Sequence, residues 1–520
     1  MSLQGHFVAG PFDDGDPVTG HYYEAASDNR GHPQVWVYTD ALSYSVGQDV
    51  VVHGASTEGR ARIRIARDGL LPQVVVDLEI DIGHSSTPND CSVIGCGWPE
   101  VLRLPVLGHW ESGLYVITAT VNGHQSEHMF VVRAGNRSKV LMILCTGTWC
   151  AYNDWGGSNH YQGIVGPNRA DAAHDVCLSR PWAKGFVHWP ADVPRIPYAS
   201  PLLTRPRYPH MEFARARGVS KKYASSGWAA FERPFAVWCE GQGICLDYWT
   251  QHDLHRDGVP EGYDRVVIVG HDEYWTWEMR DHLEAWVDRG GQVARFAGNF
   301  YWQTRLSADL GTQTCWKVGP DPVTGPRRTT YWDAPEVGRP AVATMGLTGS
   351  MGVYAGWSRC AAHGSGGFAV YRPDHWSLRD TGLGYGDVLG AAARIFGYEV
   401  DGVEVGLKHG LPVSEDPGLR GALEIVAMSP ATTLSHHTSP ADRDLFIGHL
   451  DAEDTARIIY GRVDAETMGR ASRGNGCMAH YRRGKGAVFN AGSCEWVNGL
   501  ILRDPTVERV TRNVILGDWR

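Results

Sequence analysis

The sequence predicts an α/β protein with an all-β N-terminal domain, divided into residues 1–135 and residues 136–520. Two patterns predict this class: short runs of β-branched residues before residue 133, and longer apolar runs that enclose a helical pattern after it. The length supports the division, because 520 residues exceed what one ordinary hydrophobic core accommodates.

The N-terminal region reads as a series of short strands. In the segment ARIRIARDG, Ile63 and Ile65 alternate with Arg62 and Arg64, which predicts a strand with one buried and one solvated face. Gly, Pro, Asn and Asp separate these runs, and strands at such regular spacing are typical of a β-sandwich. The predicted strands are QVWVYTD, DVVVHGA, ARIRIARDG, QVVVDLEIDI, EVLRLPVLG, GLYVITATVNG and EHMFVVRAG.

The pattern changes after the linker-like segment RAGNRSK. The runs KVLMILCTGT, YDRVVIVGHDEYW, GQVARFAGNFYW and GAVFNAGSCEW are almost continuously apolar, as in strands covered on both faces. Between the second and third runs, Met279, Leu283 and Val287 form one stripe of an amphipathic helix, and Thr276 is a suitable N-cap. A strand, a helix and a strand in this order predict a βαβ unit and therefore a parallel sheet.

Composition argues against several function classes. The net charge is −10 and no dense Lys/Arg block occurs, so we expect no nucleic-acid partner. No apolar run approaches the roughly 18 residues of a membrane span, so we expect no membrane partner. The N-terminus lacks the basic and apolar regions of a signal peptide, which favours the cytoplasm. Eleven scattered cysteines fit reduced, buried thiols better than disulfides.

Polar and aromatic residues follow the four apolar runs of the second region. Because ligands bind outside the carboxyl ends of parallel strands, we expect these residues to line a site. His271 and Glu273 are two residues apart and share a face of an extended segment. They suit either a general base with its orienting partner, or a metal ligand with its neighbour. With Tyr152 added, the oxygen-rich set favours a hard metal ion.

Two other functions fit the same residues. In a Cys-dependent amidase, Cys145 or Cys494 would be the nucleophile and His271 the base. Neither cysteine lies in a nucleophile elbow, and buried thiols are common in protein cores. The 20 tryptophans also suit a non-catalytic protein that binds a sugar or another small ligand.

Several long motifs carry a resemblance to a known family. In order, they are AYNDWGGSNHY, LSRPWAKGF, RYPHMEFA, KKYASSGWAAFERPF, DYWTQHDLH, VGHDEYWTWEMRD, ARFAGNFYWQTRL, GYEVDG and GSCEWVNGL. From about residue 140 to 500 the chain resembles the large (beta) subunit of N,N-dimethylformamidase. The resemblance implies an immunoglobulin-like β-sandwich followed by a glutamine-amidotransferase-like, Rossmannoid α/β domain. It also implies hydrolysis of a small N,N-dialkyl amide to amine and carboxylate at a mononuclear Fe(III).

The resemblance assigns roles to individual residues. Tyr152 in AYNDWGG resembles the first tyrosine ligand of the iron, and Glu273 in GHDEYW resembles the glutamate ligand. His271 would lie beside the metal, and Asn299 in AGNFYW would hold substrate or water. Glu399 in GYEVDG resembles the carboxylate that acts as acid and base.

The resemblance also implies a second tyrosine ligand of the iron and suggests how the protein assembles. Tyr208 in RYPH is the expected ligand, with Tyr198 and Tyr223 as alternatives. We expect a homo-oligomer that acts on a small-molecule amide. The separate small subunit of the characterised enzyme is a candidate further partner.

Overall fold

The structure, a computed structural model, describes residues 7–9, 15–16, 20–27, 32–163, 172–193, 209–352, 366–432 and 447–519. These residues form two compact units. The first contains the described residues up to Val193, with His210–Arg256 and Thr304–Asp321, and the second contains Asp257–Gln303 and the described residues from Pro322 onward. The domain boundary expected at residue 135 stays a prediction.

The chain is rich in β-structure and carries shorter helices between the strands. The strands are β1 (Phe7–Ala9), β2 (Tyr22–Glu24), β3 (Val35–Thr39), β4 (Ser43–Tyr44), β5 (Asp49–Ser56), β6 (Arg60–Arg67), β7 (Gln73–Asp81), β8 (Glu100–Pro105), β9 (Gly113–Val121), β10 (His124–Val132), β11 (Val140–Leu144), β12 (Asp175–Cys177), β13 (Asp247–Thr250), β14 (Arg265–His271), β15 (Tyr274–Thr276), β16 (Gln292–Gly298), β17 (Trp302–Leu306), β18 (Thr312–Thr314), β19 (Phe368–Val370), β20 (Val388–Leu389), β21 (Val405–Lys408), β22 (Leu411–Ser414), β23 (Leu423–Thr432), β24 (Arg473–Arg483) and β25 (Gly486–Asn490).

The helices are mostly short. The α-helices span Cys91–Ile94, Thr146–Tyr152, Pro209–Arg217, Glu232–Gly241, Gln251–Asp257, Trp277–Asp288, Val342–Met345, Ile447–Tyr460, Ala465–Ala471, Val497–Ile501 and Pro505–Leu516. Short 3₁₀ helices span Gly325–Arg327, Trp376–Leu378, Pro417–Leu419 and Cys494–Trp496. Within the described ranges, no helix combines the length and apolar character needed to cross a membrane.

In the first unit, two sheets share one hydrophobic core. One sheet has the order β3-β5-β8 and the other the order β4-β10-β9-β6-β7. Val37 and Val52 from the first sheet meet Ile65, Ile117 and Phe130 from the second. Strand β6 alternates between exposed arginines and buried alanine and isoleucine, so the predicted alternation is confirmed. All seven predicted strands of this region form, from β3 to β10.

In the second unit, a mixed sheet begins with parallel strands. Strand β14 pairs in parallel with β16, and β16 pairs in parallel with β25. Antiparallel pairing then continues through β24, β23, β19 and β20. The helix Trp277–Asp288 connects β14 to β16, and the Thr276 hydroxyl accepts a hydrogen bond from the Met279 backbone N–H at 3.2 Å. The predicted βαβ unit and its N-cap are confirmed.

The described cysteines are reduced and mostly buried, as the composition predicts. Those in the described part of the chain are free thiols, and all but Cys177 and Cys245 are buried. Apolar burial rather than covalent cross-linking therefore stabilises these regions.

Truncation of a shared core residue tests the packing of the two sheets. Ile117→Ala removes a fully buried side chain from the core of the first unit. We expect the free energy of unfolding to fall by about 2–5 kcal/mol, measured by urea denaturation, because the cavity left behind cannot fully close. The control Leu71→Ala removes a side chain that is 75% exposed and should change stability little. Equal effects of the two substitutions would contradict this description of the core.

Candidate active site

The carboxyl ends of β14 and β16 place the first site residues side by side. His271 ends β14 and pairs with Gly298, the last residue of β16. The two loops that follow are tied together, because the Asp272 N–H donates to the Gly298 carbonyl at 3.1 Å. The Trp302 N–H donates to the Glu273 carbonyl at 2.9 Å. The two segments GHDEYW and AGNFYW are therefore neighbours, as the parallel sheet predicts.

Asn299 adopts a left-handed backbone conformation directly after β16, with φ of 64°. Asparagine tolerates this region better than most residues. The Asp401 carboxylate stabilises the turn, because it accepts hydrogen bonds from the N–H groups of Asn299 at 2.6 Å and Phe300 at 3.2 Å. The preceding Gly298 has no room for a side chain, since a Cβ there would lie 2.6 Å from the Glu399 carbonyl oxygen. The backbone of residues 298 and 299 is thus fixed by close packing.

Four predicted site residues form one buried polar cluster. His271 Nε2 lies 2.7 Å from Glu399 Oε2 and 3.3 Å from Glu273 Oε2. Asn299 Nδ2 donates to Glu399 Oε2 at 2.7 Å and lies 3.2 Å from His271 Nε2. All four residues are buried. We refer to His271, Glu273, Asn299 and Glu399 as the carboxylate cluster.

The charges in the carboxylate cluster are complementary. Burial lowers the pKa of His271, but the charges and hydrogen bonds of Glu399 and Glu273 outweigh it and raise that pKa to about 10. The two glutamates therefore favour the imidazolium form of His271, whose Nε2 lies within 3.3 Å of both carboxylates. A positive charge between two buried carboxylates offsets part of the cost of burying them.

A second buried ion group lies next to the carboxylate cluster and was missed by sequence reasoning. Arg295 Nε donates to Asp272 Oδ2 at 2.8 Å, and its Nη1 donates to Asp401 Oδ2. Burial lowers the pKa of Arg295, but Asp401 and Asp272 outweigh it and hold that pKa well above its usual value. The signal was present in the sequence, because Arg295 is a charged residue inside the apolar run GQVARFAG.

Cys494 lies beside the carboxylate cluster. One ligand atom each from His271, Glu399 and Cys494 lies within 4.8 Å of the other two. Burial raises the pKa of the Cys494 thiol well above its usual value, and the neighbouring carboxylates, Glu399 first among them, raise it further. A nucleophilic cysteine needs the opposite shift, so this environment disfavours Cys494 as a nucleophile.

Tyr152 belongs to the first unit and has a second tyrosine as its neighbour. It ends the helix Thr146–Tyr152 that follows β11. The Tyr161 hydroxyl donates to the Tyr152 hydroxyl oxygen at 2.7 Å. The Lys222 and Lys317 ammonium groups lie over the Tyr161 ring, 4.7 Å and 3.6 Å from its centroid. The Lys222 ammonium also lies 5.6 Å from the centroid of the Tyr152 ring. Sequence reasoning did not single out Tyr161.

The other candidate tyrosines divide into two groups. Tyr208 and Tyr198 lie outside the described residues. Tyr223 is fully buried, and its hydroxyl is 2.9 Å from His210 Nδ1. The identity of the second tyrosine ligand therefore stays a prediction.

Comparison with known proteins identifies the family. Residues 81–508 match the family described as N,N-dimethylformamidase beta subunit-like, C-terminal. The chain belongs to this family. The match includes all the predicted site residues, and it confirms the resemblance read from the motifs between residues 140 and 500.

One curated protein matches part of the chain at low sequence identity. The N,N-dimethylformamidase beta subunit of Paracoccus aminophilus is 25% identical over 304 residues, covering 54% of this chain and 35% of that protein. Among solved structures, Escherichia coli alpha-2-macroglobulin activated by porcine elastase shows 15% identity, covers 20% of this chain and 9% of that chain, and has a TM-score of 0.15. The sulfur carrier protein SoxY from Chlorobium limicola f thiosulfatophilum shows 14% identity and has a TM-score of 0.12. The match covers 21% of this chain and 81% of that chain.

Replacement of Arg295 tests the buried ion group that it forms with Asp272 and Asp401. Arg295→Met leaves the carboxylates of Asp272 and Asp401 buried without their cation. We expect the free energy of unfolding to fall by about 3–5 kcal/mol, as measured by chemical denaturation. The control Arg62→Met breaks the exposed ion pair with Asp77 and should have a much smaller effect. An Arg295 variant as stable as the wild type would show that the two carboxylates do not depend on the guanidinium.

Proposed function

We propose that the chain is a metal-dependent amidohydrolase that cleaves a small N,N-dialkyl amide into an amine and a carboxylate. The observation that carries the proposal is the buried carboxylate cluster in a chain of the N,N-dimethylformamidase beta subunit-like family. Such a cluster is costly to bury, and groups of this kind occur where chemistry requires them.

The donor atoms fit a hard metal ion. Two buried carboxylates converge on His271 Nε2, a position that needs positive charge. Carboxylate and phenolate oxygens are hard ligands, as Fe(III) prefers, and tyrosinate ligates iron in other proteins. The proposal assigns a mononuclear Fe(III) to Glu273, Tyr152 and Tyr208. The hydrogen bond from Tyr161 to the Tyr152 oxygen supports a phenolate at Tyr152.

The bound metal would act as a Lewis acid toward the amide oxygen and would lower the pKa of water in the site. The protein side chains provide the proton transfers. Glu399 takes a proton from the attacking water and gives it to the leaving nitrogen as the C–N bond breaks. A dialkyl nitrogen carries no N–H in the substrate, so it needs this proton to leave as a neutral amine.

Asn299 and His271 position the proton carrier. The Asn299 side-chain amide donates to Glu399 Oε2, and His271 Nε2–H is directed to the same oxygen at 2.7 Å. Both donors orient the carboxylate and stabilise its charged form, which is the form that accepts a proton from water. Asn299 would also hold the substrate or the water by hydrogen bonding.

The finer fold assignment and the assembly are part of the same proposal. The two sheets with a shared core support an immunoglobulin-like domain, and the parallel strands β14, β16 and β25 support a glutamine-amidotransferase-like, Rossmannoid domain. The expected boundary lies at residue 135. We further propose a cytoplasmic homo-oligomer, with a small accessory subunit as a further partner.

Burial of the tryptophans favours catalysis over sugar binding. A glycan-binding rim needs exposed indole faces for stacking. Five tryptophans instead rank among the largest fully buried side chains, namely Trp155, Trp228, Trp275, Trp332 and Trp496.

Loss of the Glu273 carboxylate tests the metal assignment. Glu273→Gln should abolish iron retention, because the amide oxygen is a weaker, neutral donor. Wild-type protein expressed with iron should hold about one iron and show a visible tyrosinate-to-iron band. Elemental analysis and the visible spectrum provide the measurement. Glu336→Gln, at an exposed glutamate, is the matched control. Normal iron content in the Glu273 variant would remove this residue from the ligand set.

Loss of the Glu399 carboxylate tests the proton carrier separately. Glu399→Gln keeps the side-chain shape but cannot shuttle a proton, so kcat should fall by about 10²–10⁴-fold. Iron content should stay at the wild-type level. The assay follows formate release from N,N-dimethylformamide. A variant with wild-type kcat would show that another group carries the proton.

A further inference from the structure

A second group of metal-ligating side chains lies in the second unit and shares no residue with the carboxylate cluster. His480 on β24 pairs directly across from Glu424 on β23, so both side chains lie on one face of the sheet. His375 immediately precedes the 3₁₀ helix Trp376–Leu378. One ligand atom from each of these three residues lies within 4.8 Å of the other two.

The two imidazoles of this group are buried with unused nitrogen atoms. His375 is 8% exposed and His480 is 7% exposed. Within the described part of the chain, the Nε2 atoms of both rings are buried and have no hydrogen-bond partner. The ring centroids are 5.6 Å apart. Buried polar atoms are normally paired, so these two ring nitrogens are candidates for binding a ligand.

Aromatic rings pack against the His480 imidazole. The Trp376 ring contacts His480 edge-on at 5.4 Å, and the Trp519 ring lies 5.8 Å from His480. Both imidazoles are neutral in this setting. Burial lowers the pKa of His375 to about 3, helped by His480 and Arg372, and burial with Arg482 lowers the pKa of His480 to about 4. A neutral imidazole has the lone pair that a metal needs.

The backbone around His375 is held in place by hydrogen bonds. His375 Nδ1 accepts a hydrogen bond from the Ser377 backbone N–H at 3.2 Å and lies 2.7 Å from the Ser377 hydroxyl oxygen. In the helix Pro505–Leu516, the Asn513 side-chain amide donates to the carbonyl oxygens of Ser377 at 3.0 Å and Arg379 at 2.7 Å. The contacts with Ser377 fix the orientation of the His375 ring, as the partners of a ligand histidine do in metal sites.

We propose that His375, Glu424 and His480 form a binding site for a divalent cation of the Zn²⁺ class. Two imidazole nitrogens and one carboxylate oxygen form a ligand set that Zn²⁺ accepts, with water in the remaining position. The Glu424 side chain is 43% exposed, which provides a route for the ion and room for the water. The bound ion would join β23, β24 and the turn before Trp376.

The charged groups around this site influence its affinity for a metal ion. Arg372 Nε lies 3.5 Å from Glu424 Oε1, and its guanidinium also donates to the carbonyl oxygens of Ile425 and Pro412. Arg482 acts on His480 from the same strand. Both cations oppose a bound metal ion, so the carboxylate of Glu424 is essential to offset them.

Zinc titration of the iron-loaded full-length chain tests the site. Calorimetry should show one bound Zn²⁺ in addition to the iron, and Zn²⁺ should raise the thermal unfolding temperature, because it binds only the folded state. His375→Gln, His480→Gln and Glu424→Gln should each weaken zinc binding by at least about 10-fold. The control His109→Gln, at an exposed histidine, should leave zinc binding unchanged.

Two outcomes would overturn the proposal: no zinc binding to the wild type, or equal binding by the wild type and the three variants. If the histidine variants fail to fold, Glu424→Gln decides, because its side chain is partly exposed. Zinc binding should persist in Glu273→Gln, which separates this site from the proposed iron site. If zinc binding persists in Glu273→Gln and is lost in Glu424→Gln, the zinc site is supported whether or not the iron proposal holds.

Discussion

The buried guanidinium of Arg295 lies between the carboxylates of Asp272 and Asp401, and the geometry of the candidate active site depends on this contact. Asp272 lies between His271 and Glu273 in sequence, so an ion pair at Asp272 fixes the backbone that presents both. Asp401 accepts the backbone hydrogen bond of Asn299 and thereby holds its left-handed turn. One cation thus fixes two loops at the sheet edge, and removal of that cation would leave two buried charges without compensation.

The carboxylate cluster lies next to this ion group and brings two carboxylates together among buried residues. His271 supplies the compensating positive charge in the structure, and its pKa rises because burial is outweighed by Glu399 and Glu273. A site of this kind is prepared for a cation and for proton transfer, which are the two requirements of metal-assisted amide hydrolysis. His375 and His480 provide a different environment, suited to a softer divalent ion, because their buried Nε2 atoms make no hydrogen bond to any described residue.

The sequence predicts the strands and the sheet edge well because both follow from local patterns. Alternation predicts β6, and the apolar runs predict β14 and β16, whose parallel register then brings His271 next to Asn299. The position of Glu399 could come only from the family resemblance, since it lies in a loop outside any strand. The pairing of Arg295 with Asp401 joins residues about a hundred positions apart, and periodicity carries no information on such a pair. Likewise, no local pattern connects Tyr161 to the hydroxyl of Tyr152.

The central claim is that Glu273 binds iron within the carboxylate cluster. Anomalous diffraction from crystals of the iron-loaded protein, collected at the iron absorption edge, tests it most directly. The account predicts a single anomalous peak bonded to the Glu273 carboxylate, with Glu399 and Asn299 close by. An iron peak bonded elsewhere in the chain, with no bond to the Glu273 carboxylate, would contradict it.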